Sequence, residues 1–142
     1  MRQRLRQFLA VEITCFVDLT EAHELVPYLP FLGAEEAAGT CPPAYYRLPI
    51  RNWEIPPPPM MVRILDTLDG AMAEGRMVYV HCAGGIGRTG TVVGCYLVRH
   101  GMQGDAALTE IERLRQAMPN NWRPSPAREP QRQMVRTWPS GR

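Results

Sequence analysis

The chemistry-bearing residues gather in one stretch, His81-Cys82-Ala83-Gly84-Gly85-Ile86-Gly87-Arg88-Thr89-Gly90. A cysteine and an arginine stand five residues apart, and three of the five between them are glycine. The apolar run Met77-Val78-Tyr79-Val80 before the cysteine predicts a buried strand, and the apolar residues after Thr89 predict a helix. A glycine-rich loop from strand to helix turns several backbone N–H groups toward an anion and adds the positive end of the helix dipole. Gly84, Gly85 and Gly87 let the backbone curl and approach closely, so positions 83–88 form a phosphate cradle that includes Ala83 and Ile86. Arg88, at the first turn of the helix, has a planar guanidinium able to hold two oxygens of one phosphate. Cys82 opens the same cradle, where positive surroundings favour the thiolate, the nucleophilic form. Thr89 can donate a hydroxyl hydrogen bond to that sulfur. These residues together describe a nucleophile facing a phosphoryl group. The plainer reading, a buried structural cysteine before an ordinary turn, would suit a lone cysteine or a single glycine pair.

Cys82, five residues, Arg88 and the following Thr89-Gly90 resemble the signature of the cysteine-dependent protein tyrosine phosphatases. The short chain is similar to their dual-specificity-like branch, and element order extends the likeness over most of residues 10–138. Other cysteine–arginine phosphate loops fit less well. Low-molecular-weight phosphatases and arsenate reductases carry theirs near the N-terminus, and rhodanese-like enzymes lack the Gly-x-Gly-Arg-Thr-Gly ending. Relatives acting on inositol lipids commonly place lysines in the loop, and this loop has none. The resemblance implies two steps. The Cys82 thiolate attacks phosphorus while the loop amides and Arg88 bind the equatorial oxygens, and water then hydrolyses the phosphocysteine. No metal or cofactor is expected, since arginine and amides supply the positive field. The implied substrate is a phosphorylated protein or a small aryl phosphate. His81 either fixes the loop by hydrogen bonding or is a structural strand-end residue.

The first step needs a proton for the departing oxygen, which the family takes from an aspartic acid after Pro-Ile-x. Here Pro49-Ile50-Arg51 leads to Asn52. Asparagine can hydrogen-bond a leaving oxygen but cannot act as an acid. Either Asn52 weakens turnover, or Glu54 substitutes, or one of Asp18, Asp66, Asp69 and Asp105 reaches the site. A second functional class therefore stays open, a module that binds phosphoesters with little turnover. Gln131, on a late helix, is a further residue expected near the site.

The elements that must position these residues follow from pattern. Strands are expected at 13–19, 45–48 and 77–81. Helices are expected near the start (Leu5, Phe8, Leu9), through Met61, Ile64, Leu65, Leu68 and Met72 to Gly75, at 89–100 up to Gly101, and around 131–138. Another helix, capped by Asp105, would bury Leu108, Ile111, Leu114 and Met118. Residues 21–44 read as loop-rich, and the prolines at 56–59 as a spacer or helix start. Alternating strands and helices predict an α/β fold, with a central, mostly parallel sheet flanked by helices and the phosphate loop between a strand and a helix. One domain over residues 1–142 suffices for this length.

Composition narrows the classes. At 45% hydrophobic and 21% charged the chain reads as an ordinary globular protein, and a net charge of +2 gives no footing for nucleic-acid binding. All 16 basic residues are arginine, which removes lysine Schiff-base chemistry and Walker-type phosphate loops. No apolar stretch approaches the ~20 residues of a membrane span, and no signal-peptide pattern opens the chain. Neither a membrane nor a nucleic-acid partner is expected, and the sequence is silent on oligomeric state. Four cysteines without a C-x-x-C pair, Cys15 and Cys95 among them in apolar surroundings, fit a reducing cytoplasmic setting.

Overall fold

A computed structural model of the protein describes residues 13–24, 43–83 and 86–142. The element order is β1 (Ile13–Asp18), β2 (Ala44–Arg47), α1 (Pro58–Ala73), β3 (Met77–His81), α2 (Arg88–Arg99), α3 (Gly104–Leu114) and α4 (Glu129–Thr137). The three strands form one parallel sheet in the order β2-β1-β3. This is the α/β arrangement expected from the alternation of strand and helix patterns. The expected helix around Leu5, Phe8 and Leu9, most of the loop-rich passage and Cys41 lie outside the described residues.

Parallel register brings the strand ends to one edge, because Asp18 pairs with Arg47 on one side and with His81 on the other. The hydrogen-bond ladder then runs on past the strands. Leu19 N–H donates to His81 O at 2.9 Å, Leu48 N–H to Asp18 O at 2.9 Å, and Ile50 N–H to Leu19 O at 3.0 Å. The two segments that matter, 48–52 and 81–83, are thereby held on either side of the chain leaving β1. Ligand sites of open parallel sheets form at this carboxyl edge.

The core packs one face of the sheet, with Cys15 and Val17, against Met61, Ile64 and Leu65 of α1 and Val92 and Cys95 of α2. Phe16 points the other way and is equally buried, with the Tyr79 ring edge-on at 6.3 Å. Pro57 holds extended backbone at the N-cap of α1 and Pro58 is its first residue, so the proline run is a helix start. Gly75 and Gly101 take φ of +81° and +111° just past α1 and α2, the left-handed conformation that lets the chain leave each helix.

Three expectations need correction. Asp105 does not cap α3: the N-cap is Gln103, and the Asp105 carboxylate accepts from Arg136 Nε at 3.1 Å. Leu114 and Met118 are exposed, since α3 ends at Leu114 and only Ala107, Leu108 and Ile111 face inward. Met72 is exposed as well, with the Tyr96 hydroxyl 3.7 Å from its sulfur.

Candidate active site

Cys82 leaves the end of β3 half-buried, and Arg88 is the first residue of α2. The loop between them thus spans strand end to helix start, as the spacing requires. Of the cradle residues, Gly84 and Gly85 lie outside the described set, Ala83 is exposed, and Ile86 is buried with Gly87 as the N-cap beside it. Thr89 Oγ1 donates to Cys82 Sγ at 3.0 Å. That bond joins the helix start to the sulfur. Ser125 Oγ, buried, donates to Ile86 O at 2.6 Å and anchors the second half of the loop. A Cβ on Gly90 would sit 2.2 Å from that Ser125 oxygen, so only glycine lets α2 come this close to the Ser125-Pro126 segment.

Arg88 is 2% exposed, and its fork is already partly engaged. Nη1 donates to Glu24 Oε2 at 2.8 Å and to Ile50 O at 3.0 Å, with Leu19 O at the 3.5 Å limit. Nη2 donates to Glu24 Oε1 at 2.7 Å. Glu24 therefore grips the Nη1/Nη2 edge end-on. Among the described residues, Nε–H and one Nη2–H stay unclaimed, and these two parallel donors form the edge able to take two phosphate oxygens. The paired guanidinium holds the Glu24 carboxyl down at about 2, chiefly through the hydrogen bonds it donates. Burial opposes charge on Arg88, and Glu24 more than offsets it, so the guanidinium is held firmly protonated. Glu21, His23 and Glu24 have potential ligand atoms within 4.8 Å of one another. Glu24's commitment to Arg88 leaves that group poorly suited to a metal.

The Ile50 carbonyl on Arg88 brings the next residues to the cradle. Glu54 N–H donates to Arg51 O at 3.0 Å, closing a turn over 51–54 with Asn52 exposed at its second position. Trp53, third in the turn, has φ +69°, a region normally left to glycine and costing about 1–3 kcal/mol elsewhere. Arg128 Nη1 donates to the Trp53 carbonyl at 2.9 Å. Gln131, fully buried, sits against the loop: its Nε2 lies 3.0 Å from the point a Cβ on Gly87 would occupy.

Each aspartate is hydrogen-bonded to a partner elsewhere. The chain has four. Asp18 is buried and accepts from Thr20 N–H at 2.9 Å and the Tyr45 hydroxyl at 2.6 Å. Asp66 and Asp69 hold Arg99 at 2.9 and 3.0 Å, and Asp105 holds Arg136. Glu54 is exposed, with its carboxylate 4.0 Å from Arg51.

The family model described as the Swiss Army Knife protein DSP-PTPase phosphatase domain (PTP-SAK) matches residues 1–137. The chain belongs to this phosphatase family. The dual specificity protein phosphatase CDC14AB of Danio rerio is 46% identical over 39 residues, which is 28% of this chain and only 5% of that protein. Among solved structures, the active form of Tk-PTP superposes with a TM-score of 0.77 at 24% identity, covering 95% of this chain and 83% of that one. The catalytic core of S. cerevisiae Siw14, a PP-IP phosphatase crystallised with citrate, gives 0.70 at 20% identity, with coverage of 97% and 76%. A Cys-to-Ser form of P. aeruginosa TpbA in complex with pTyr gives 0.66 at 18% identity, with coverage of 96% and 74%. At these identities the structures establish the fold.

Within this phosphatase domain three residues gave no sign of their roles in the sequence: Glu24 and Ser125 at the cradle, and Arg128 at the 51–54 turn. Glu24 lies 64 residues before its partner in a stretch without periodicity, and Ser125 is one serine in a proline-broken link. Neither carries a local signal. Cys15 and Cys95, expected in the core, are both buried, and burial alone pushes the Cys95 thiol up to about 12.

Proposed function

We propose that the protein hydrolyses aryl phosphate monoesters of the phosphotyrosine type through a phosphocysteine on Cys82, with turnover slowed by Asn52 at the general-acid position. The Thr89–Cys82 bond at the start of α2, beside an Arg88 pre-set by Glu24, is the observation that carries this reading. In the first step Cys82 Sγ bonds to phosphorus as the P–O bond to the aryl oxygen breaks. The equatorial oxygens take the free edge of Arg88 and the loop amides. The aryl oxygen leaves as phenolate, with an Asn52 amide N–H as its hydrogen-bond donor, and takes its proton from water. In the second step water attacks phosphorus, the P–S bond breaks, and inorganic phosphate departs while the thiolate is restored. A phenolic leaving group, with a pKa near ~10, departs without an acid far more readily than a serine or threonine alkoxide.

Positions 82–89 act as nucleophile and phosphate cradle in this reading, and the setting is a reducing, cytoplasmic one in which the thiol persists. A second reading, a phosphoester-binding module with negligible turnover, draws on the engagement of all four aspartates elsewhere.

The test compares native protein, Cys82→Ser and Asn52→Asp on a series of aryl phosphates with leaving groups of rising basicity. Native protein is expected to turn over slowly, most slowly on the most basic leaving group. Cys82→Ser loses turnover and keeps phosphate binding. Asn52→Asp gains at least about tenfold on the most basic member, toward the ~10²–10⁴ a general acid supplies. Binding without measurable native turnover would overturn the enzymatic reading in favour of the binding module.

A further inference from the structure

We infer that Arg128 is a positioning residue, which holds the turn at 51–54 in the conformation from which Asn52 meets the leaving oxygen; the inference rests on the reading of Asn52 above. The turn has a strained residue and little packing to hold it. Trp53 has φ +69°, yet the residue is 53% exposed, and the Arg51 side chain is 77% exposed. Burial of its own side chains therefore does not fix it, and polar contacts to its backbone do.

Those contacts come from two directions. At the entry, Arg88 Nη1 holds the Ile50 carbonyl at 3.0 Å. At the exit, Arg128 Nη1 holds the Trp53 carbonyl at 2.9 Å, on the strained residue itself. Arg128 is in turn pinned through its own N–H, which donates to Gln131 Oε1 at 3.0 Å. Gln131 is fully buried against Gly87 of the phosphate loop, and its Nε2 reaches the Glu54 carbonyl at 3.5 Å. The start of α4 thus touches the turn and the cradle with one pair of side chains, and it sets the spacing between Asn52 and the phosphate.

Arg128 is exposed, so its truncation removes no core packing. The experiment measures the rate gain from Asn52→Asp on phenyl phosphate in three backgrounds: native Arg128, Arg128→Ala and Arg128→Lys. Hydrogen exchange of the 49–57 peptide is followed alongside. With Arg128 intact the gain is expected to be at least about tenfold. In Arg128→Ala it falls to less than about threefold, and exchange accelerates in 49–57 but not in α1 or α2. Lysine, which still donates one bond to the Trp53 carbonyl, recovers part of the gain. A general loss of stability would lower both members of each pair and leave their ratio unchanged. An equal gain in the Arg128→Ala background, or unchanged exchange of 49–57, overturns the positioning role while the Asn52 reading stands. No gain even with Arg128 intact overturns the Asn52 reading and the inference with it.

Discussion

Replacing Glu24 tests whether Arg88 is pre-set by a partner that the loop signature does not contain. The side chain is 12% exposed and the guanidinium 2%, so the pair is largely shielded from water. Two charge-assisted hydrogen bonds, at 2.8 and 2.7 Å, join them. Glu24→Gln keeps one acceptor, loses the second bond and removes the countercharge. At about 1.5–3 kcal/mol for a hydrogen bond to a charged group, the glutamine variant should lose about 2 kcal/mol. Glu24→Ala leaves the buried cation with the Ile50 and Leu19 carbonyls alone and should lose about 3–4 kcal/mol, near the range for half of a buried pair. For a chain of 142 residues these correspond to falls in Tm of roughly 7 and 12 °C. Because Glu24 titrates at about 2 in the folded protein instead of 4.5, its stabilisation is fully present above pH ~4.5. It is lost as pH falls through about 2, so the gap between native protein and Glu24→Gln should close over that interval. The assay is urea unfolding between pH 2 and 8, together with KM for p-nitrophenyl phosphate at pH 7. KM should rise as the released guanidinium samples orientations that cannot grip phosphate. A glutamine variant within about 0.5 kcal/mol of native, with unchanged KM and no pH-dependent convergence, would mean that Glu24 does not pre-set Arg88.

Two further outcomes follow from the same geometry. In the folded protein Cys95 and Cys15, both buried with thiols pushed up by desolvation, should resist iodoacetamide, whereas half-buried Cys82 is alkylated first; mass mapping that finds Cys95 labelled as fast as Cys82 contradicts this. Ser125→Ala strips the Ile86 carbonyl of its buried donor and should cost about 1–3 kcal/mol by denaturant unfolding, with a weaker affinity for phosphate; a change in neither would mean that the 2.6 Å bond does not support the loop.

The legible parts of this protein were those encoded locally. The cradle could be read because its nucleophile, glycines and arginine are contiguous, and β3 and α2 because apolar runs border it. Gly75 and Gly101 marked helix ends through backbone preference alone. Where the sequence pattern misled, tertiary contacts had overridden it. The apolar repeat through Leu114 and Met118 continues α3 on paper, but the chain turns away after Leu114. There the Arg115 guanidinium ties the carbonyls of Asn120 and Arg123 at 3.1 and 2.7 Å. Asp105 looks like a cap, yet Arg136 from α4 claims its carboxylate at 3.1 Å. Glu24 and Arg128 were illegible for the same reason. Each acts on a partner at least 64 residues away, and a charged residue in an irregular stretch gives no hint of which distant group it will meet.

Arg88 gathers the chain as well as the ligand. Its guanidinium meets residues 69, 64 and 38 positions earlier, so its free edge takes shape only when the ends of β1, the start of the following loop and the segment after β2 have all docked. A collapsed chain with its helices formed but these segments undocked would offer the loop glycines and no oriented fork. Anion affinity is then a property of the finished fold alone, and mass action runs in both directions. An oxyanion at 100 times its Kd should stabilise the folded protein by about 2.7 kcal/mol. Because the oxyanion binds the finished fold, phosphate or vanadate should slow the unfolding of the native protein and do little to accelerate its collapse. The binding site doubles as a reporter of complete folding, and partly folded chains would be silent in any assay that depends on it.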